Sequence, residues 1–214
     1  MATPQLQPAA QARCPSRRKA LLRAAALTGL ALAGSAASRA ATVTAADATG
    51  TGPGGAALPA ELVATLAGAQ ALGAATLRFL GLDIYAAKLW VQEGFSADRY
   101  AQSPFALELN YARALSGRLI AERSLQEMRR QAKPGAAQEQ AWLDAMLRAF
   151  PDVQAGDRIT GLHTPGSGAR FWFNRQERPA VRDAEFSRLF FGIWLSDASS
   201  EPQMRSQLLG RGSV

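Results

Sequence analysis

The period of the apolar residues changes repeatedly along the chain, with short turns at each change, and this alternation limits the fold more than any other feature. Leu107, Leu109 and Tyr111 alternate with Glu108 and Asn110, the period-two rhythm of a half-buried strand whose inward row runs on to Arg113. Around Gly81, residues 77–91 read as two strands or one bent strand, with Tyr85, Ala87, Leu89 and Val91 on one face. Residues 157–164 and 169–174 are strand-like and joined by Pro165-Gly166-Ser167-Gly168, which makes a hairpin; residues 178–182 are short and extended. Helical rhythm fills the gaps. Ser116 is placed to cap a helix over 117–133, and a second runs over 138–150 until Pro151 stops it. Asp183 caps a third, in which Phe186, Leu189, Phe190, Ile193 and Trp194 recur at i, i+3, i+4, i+7 and i+8. Glu201-Pro202 opens a last short helix that ends at Leu208-Leu209-Gly210. Hairpin-joined strands with helices gathered in blocks predict an α+β fold, an open-faced sandwich of mainly antiparallel β-sheet with a layer of α-helices.

The first 57 residues are of a different kind. Arg17-Arg18-Lys19 and Arg23 precede an apolar run over 24–33 and small residues through Ala40-Ala41, the layout of an export signal cut near Ala40. Arg17-Arg18 followed by Leu21-Leu22 resembles a twin-arginine leader, with an ordinary Sec signal as the alternative; either predicts a periplasmic protein. About ten apolar residues are too few to cross a bilayer, so no transmembrane span is expected. Residues 42–57 are Ala, Thr and Gly with Pro53, a linker, which leaves 58–214 as one domain.

Charge and composition then exclude several functions. The chain carries 24 Lys and Arg against 17 Asp and Glu, but six of the bases and no acid fall within 1–41, leaving 18 against 17 afterwards. A nearly neutral domain offers no nucleic-acid footprint. The one Cys, Cys14, lies in the leader and His163 is the one His, so the domain has no thiolate nucleophile and too few ligands for a Cys or His metal site. His163 is read as a loop or strand-end residue. The Gly166-Ser167-Gly168 loop enters a strand rather than a helix, which makes it a turn and not an anion cradle. What remains is the chemistry of Arg, Tyr, carboxylates and apolar surface. A guanidinium beside a phenol at the end of an apolar cleft suits a carboxylate, and two pairs qualify, Arg78 with Tyr85 and Tyr111 with Arg113.

Five segments occur in one order: GAATLRFLGLDIYAAKLW at 73–90, LELNYAR at 107–113, FPDVQAGD at 150–157, PGSGARFWFN at 165–174, and FFGIWL at 190–195 with Leu208-Leu209-Gly210. Together they resemble the bacterial chalcone-isomerase-like family over about 58–210. The resemblance implies an open-faced α+β sandwich and offers two functions. Plant chalcone isomerases close a flavanone ring with a Tyr and a Lys shortly after a Thr-Gly; the similar stretch here, LSGRLIAER at 115–123, has Ile120 at the Tyr position and Arg123 at the Lys position. An isoleucine cannot polarise a ketone. The other branch binds fatty acids without turnover, holding the carboxylate with an Arg and a Tyr of the first long strands, and Arg78 and Tyr85 lie in the matching segment. The resulting expectation is an exported protein that binds a small amphipathic ligand such as an acyl carboxylate, with no catalytic residue, cofactor or metal. Two alternatives stay open: an isomerase acting on an enone or ketone through Arg78, Tyr85 and Tyr111, and a periplasmic interaction module without a small ligand.

Overall fold

Six strands in sequence order form one antiparallel sheet, β1 to β6, each hydrogen-bonded to the next. The computed structural model describes residues 56–211; the leader and most of the linker lie outside them. β1 (Gln70–Phe79) and β2 (Leu82–Val91) are ten residues each, folded back at Leu80-Gly81. β3 spans Phe105–Tyr111, β4 Arg158–Thr164, β5 Gly168–Phe173 and β6 Gln176–Val181. The two readings of 77–91 are thus decided for two strands, and β1 begins seven residues earlier than its apolar pattern suggests. Its first half, Gln70-Ala71-Leu72-Gly73-Ala74-Ala75, has too few bulky side chains to show a period. The smallness is structural. A Cβ on Gly73 would meet the backbone carbonyl oxygens of Gln207 and Leu208, so the last helix lies directly on this strand.

The helical layer covers one face. α1 (Gly117–Met128) starts at Ser116, whose Oγ accepts from the Leu119 N–H at 3.2 Å. It stops five residues before the expected end, because turn hydrogen bonds from Arg130 and Gln131 to Glu127 and Met128 tighten the chain ahead of Pro134. α2 (Ala136–Ala149) and α3 (Ala184–Leu195) follow, and α4 (Pro202–Leu208) has Pro in its first turn. Between sheet and helices lies the main core, with Leu89, Leu107, Phe105 and Phe171 facing Met128, Met146, Phe186 and Phe190. Burying one such side chain contributes about 1.5–3 kcal/mol.

The opposite face of the sheet has its own smaller core. Trp90, Ala106, Leu162 and Trp172 pack there against Leu62, Leu66 and Ala69 of the segment before β1. Glu61 of that segment accepts from Arg158 Nη2 at 2.8 Å and Thr160 Oγ1 at 2.9 Å. The strands therefore alternate between two buried layers, with Trp90 on one side and Leu89 on the other.

Candidate functional site

β2 and β3 set the floor of a cavity. Their register pairs Tyr85 with Tyr111, so both rings rise on the helix-covered face, edge to face with centroids 5.8 Å apart. α3 roofs the space with Phe190, Ile193 and Trp194, α1 walls it with Ile120, Arg123 and Glu127, and α4 adds Met204 and Arg205. The volume enclosed is about 420 Å³ and the lining is mostly apolar, within the roughly 300–1,000 Å³ of ordinary small-molecule sites.

Trp194 Nε1 donates to the Tyr85 hydroxyl oxygen at 3.1 Å, which fixes the ring but leaves the phenol proton free. The Tyr111 hydroxyl has no partner among the described residues. Burial pushes both phenols far above their ordinary pKa. At Tyr85 the indole hydrogen bond opposes the shift and Glu201 and Glu127 add to it; at Tyr111 the neighbouring Tyr85 adds. Both are therefore neutral donors at physiological pH, and neither can act as a general base.

The guanidiniums at the cavity are already paired. Arg78, at the end of β1, is 69% exposed and its Nε lies 2.7 Å from Asp83 Oδ1. Arg123 pairs with Glu127 at 2.6 Å across one helical turn, and the Glu127 side chain is only 9% exposed. Arg205 donates to the Leu195 carbonyl at 2.8 Å and lies 2.7 Å from Asp197 Oδ1.

Of the residues the sequence singled out, Arg78, Tyr85 and Tyr111 border one cavity and Arg113 does not. β3 ends at Tyr111, so the inward row does not reach Arg113, which bends back to donate to the Asp83 carbonyl at 3.1 Å. Arg78 reaches the mouth because the β1–β2 register shifts between Leu77 and Arg78, so that Leu77, Arg78 and Phe79 all border the cavity in succession. Ile120 and Arg123, similar in position to the Tyr and Lys of the plant isomerases, also line it. Sequence reasoning passed over Glu127 and Arg205; the i,i+4 spacing of Arg123 and Glu127 was the available signal for the first. His163 stands next to the last residue of β4, the strand-end position expected of it, but it is only 2% exposed, with Nδ1 2.7 Å from Ser187 Oγ and Nε2 3.1 Å from the Ala101 carbonyl, and it does not border the cavity. Among the described residues no three His, Cys, Asp or Glu side chains stand together in a metal-ligand group, and no helix is long and apolar enough to cross a membrane.

Among solved structures the fold is similar to a fatty-acid binding protein of Arabidopsis thaliana, with a TM-score of 0.52 and 13% identity over 66% of this chain and 87% of that one. At that identity the likeness speaks for the fold alone. No curated protein matches the sequence. The profile of the chalcone isomerase-like family does match, over residues 54–210, the whole of the sheet and its helical layer. With the sandwich and its roofed cavity agreeing, the chain belongs to the chalcone isomerase-like family.

Proposed function

We propose that the protein binds a small amphipathic ligand, an acyl carboxylate such as a fatty acid, without chemical turnover. The observation that carries the reading is the open apolar cavity of about 420 Å³ floored by two neutral phenols. An acyl tail would fill the space between β2–β3 and α3, and oxygen atoms of the ligand would accept from Tyr85 and Tyr111. Arg78 is the cation best able to meet a carboxylate. Its present partner Asp83 is exposed, and an exposed ion pair contributes only about 0–1 kcal/mol, so exchanging it costs little. Arg123 would instead have to abandon the buried Glu127 and leave that carboxylate only the longer contact to Arg130 Nε at 3.6 Å, a costlier exchange than that of an exposed pair. The Arabidopsis relative is a fatty-acid binding protein, which supports the acyl tail. Isomerase chemistry has less support, because Ile120 supplies no hydroxyl and the phenols hold their protons.

Native mass spectrometry of protein purified from its own host is expected to show a co-purified acyl species that palmitate displaces. Arg78→Ala should weaken palmitate about tenfold or more, the loss of a charge-assisted hydrogen bond, and Tyr111→Phe by a smaller factor. Binding unchanged in both variants, or turnover of chalcone analogues, would rule the reading out. We also propose that the protein acts in the periplasm. The arginine-led leader supports this, and amino-terminal sequencing of the mature protein should begin just after Ala40 or Ala41.

A further inference from the structure

Six large apolar side chains stand well exposed among the described residues, and four of them gather at the cavity mouth: Phe79, Leu80 and Leu82 on the β1–β2 turn and Leu119 in the first turns of α1. Phe79 and Leu119 are at once exposed and part of the cavity lining, so the patch continues into the interior. The tip itself is costly. Leu80 and Gly81 both have positive φ, 51° and 78°, the geometry of a two-residue turn that takes Asn-Gly or Asp-Gly with least strain. A leucine there adopts a left-handed backbone that disfavours it, and it is 85% exposed. Neither folding nor solubility explains the choice.

The shape narrows the partner. A two-residue turn with three apolar neighbours is convex and far smaller than the roughly 20–30 residues a side that a stable protein interface uses. A fluid apolar phase places no such demand. Guanidiniums stand at the base of the tip, at the level where long cationic side chains meet headgroups: Arg78 beside the turn, Arg118 and Arg123 flanking Leu119 on α1, and Arg113 held on the Asp83 carbonyl. Asp83, Glu122 and Glu127 pair three of them, and Arg113 has no carboxylate partner among the described residues. The collar is thus only slightly cationic, and insertion of apolar side chains has to supply most of the attraction.

We propose that the β1–β2 tip docks into the surface of a lipid bilayer, with Phe79, Leu80, Leu82 and Leu119 in the acyl boundary and the arginines among the headgroups. The cavity mouth then opens onto the acyl phase. Together with the ligand reading above, on which this last step rests, docking lets an acyl chain enter without crossing water.

The full chain with Cys14→Ser carries an environment-sensitive NBD label through Leu80→Cys, or, as a control, through Gln102→Cys, which lies past the other end of β2. Mixed phosphatidylethanolamine and phosphatidylglycerol vesicles should shift and enhance the emission at 80 and leave that at 102 unchanged. Unlabelled Leu80→Asn should melt no lower than the parent chain, because Asn tolerates the left-handed conformation. It should bind vesicles about tenfold more weakly, the effect of one leucine leaving an apolar phase. No change at 80, an equal change at both positions, or a concentration-dependent dimer abolished by Leu80→Asn would overturn docking. Palmitate binding in vesicle-free solution reads the cavity separately, so loss of docking with palmitate retained leaves the ligand reading standing.

Discussion

At the scale of single residues the histidine is the most consequential buried polar group. His163 lies between Phe105, stacked at 4.9 Å, and Phe191, edge-on at 5.8 Å, and its ring nitrogens meet a hydroxyl and a carbonyl with no carboxylate in contact. Burial lowers its pKa, outweighing the carbonyl of Ala101, which favours the charged form. A histidine depressed in the folded protein takes up fewer protons than its unfolded counterpart, whose ordinary value is 6.5. Its contribution is intact above that pH and is eroded as pH falls through it, levelling off only below the folded value. Thermal denaturation scanned from about pH 7.5 to about pH 5 should therefore show a falling melting temperature. His163→Gln should melt lower throughout and lose that part of the slope. A slope identical in both proteins would place the titration elsewhere.

At the scale of elements, α3 depends on one side chain at its start. Asp183 Oδ1 accepts from the N–H groups of Glu185 and Phe186 at 2.8 and 2.9 Å, and its Oδ2 accepts from Trp142 Nε1 at 2.8 Å, tying α3 to α2. Asp183→Ala removes a cap, typically about 1 kcal/mol, and leaves the indole N–H of a buried Trp142 without its partner, about 1–3 kcal/mol more. A loss of roughly 2–4 kcal/mol in chemical denaturation is expected, with Asp183→Asn recovering the cap but not the indole partner, because its amide group sets a donor against Trp142 Nε1 in place of Oδ2. Hydrogen exchange in the first turn of α3 should rise ahead of the sheet. This helix was also the most legible in the sequence, since a capping acid and five apolar residues at helical spacing need no tertiary information. Tyr85, Ala87, Leu89 and Val91 share a face for the same reason, period two being a local property. The start of β1 and the burial of His163 were not legible. Gly73 is explained only by the backbone of Gln207 and Leu208 at the end of α4, and a histidine becomes core only when Phe105 and Phe191 close over it.

At the scale of the whole molecule the site depends on a gap that local pattern does not specify. Its lining comes from β1, β2, β3, β4, α1, α3 and α4, so whether Trp194 fills the space or borders it is settled only when all seven are in place. Arg78 was legible as a guanidinium near a phenol, whereas the register shift that puts it at the mouth was not. The four tryptophans now separate by role. Trp90 and Trp172 belong to the outer core, Trp142 is tied to Asp183, and Trp194 borders the cavity with its indole on Tyr85. A ligand entering the cavity displaces water from Trp194 alone. Saturating palmitate should thus shift tryptophan emission to shorter wavelength in the parent chain and leave it unmoved in Trp194→Phe. At about 100 times the dissociation constant the same ligand stabilises the fold by roughly 2.7 kcal/mol, a rise of about 5–10 °C for a domain of this size. Trp194→Phe keeps an apolar ring in the roof, though a smaller one, and frees the Tyr85 hydroxyl, so the thermal shift should survive there while the optical one is lost. Loss of both would make the indole a ligand contact in its own right, and survival of both would place the acyl chain outside this cavity.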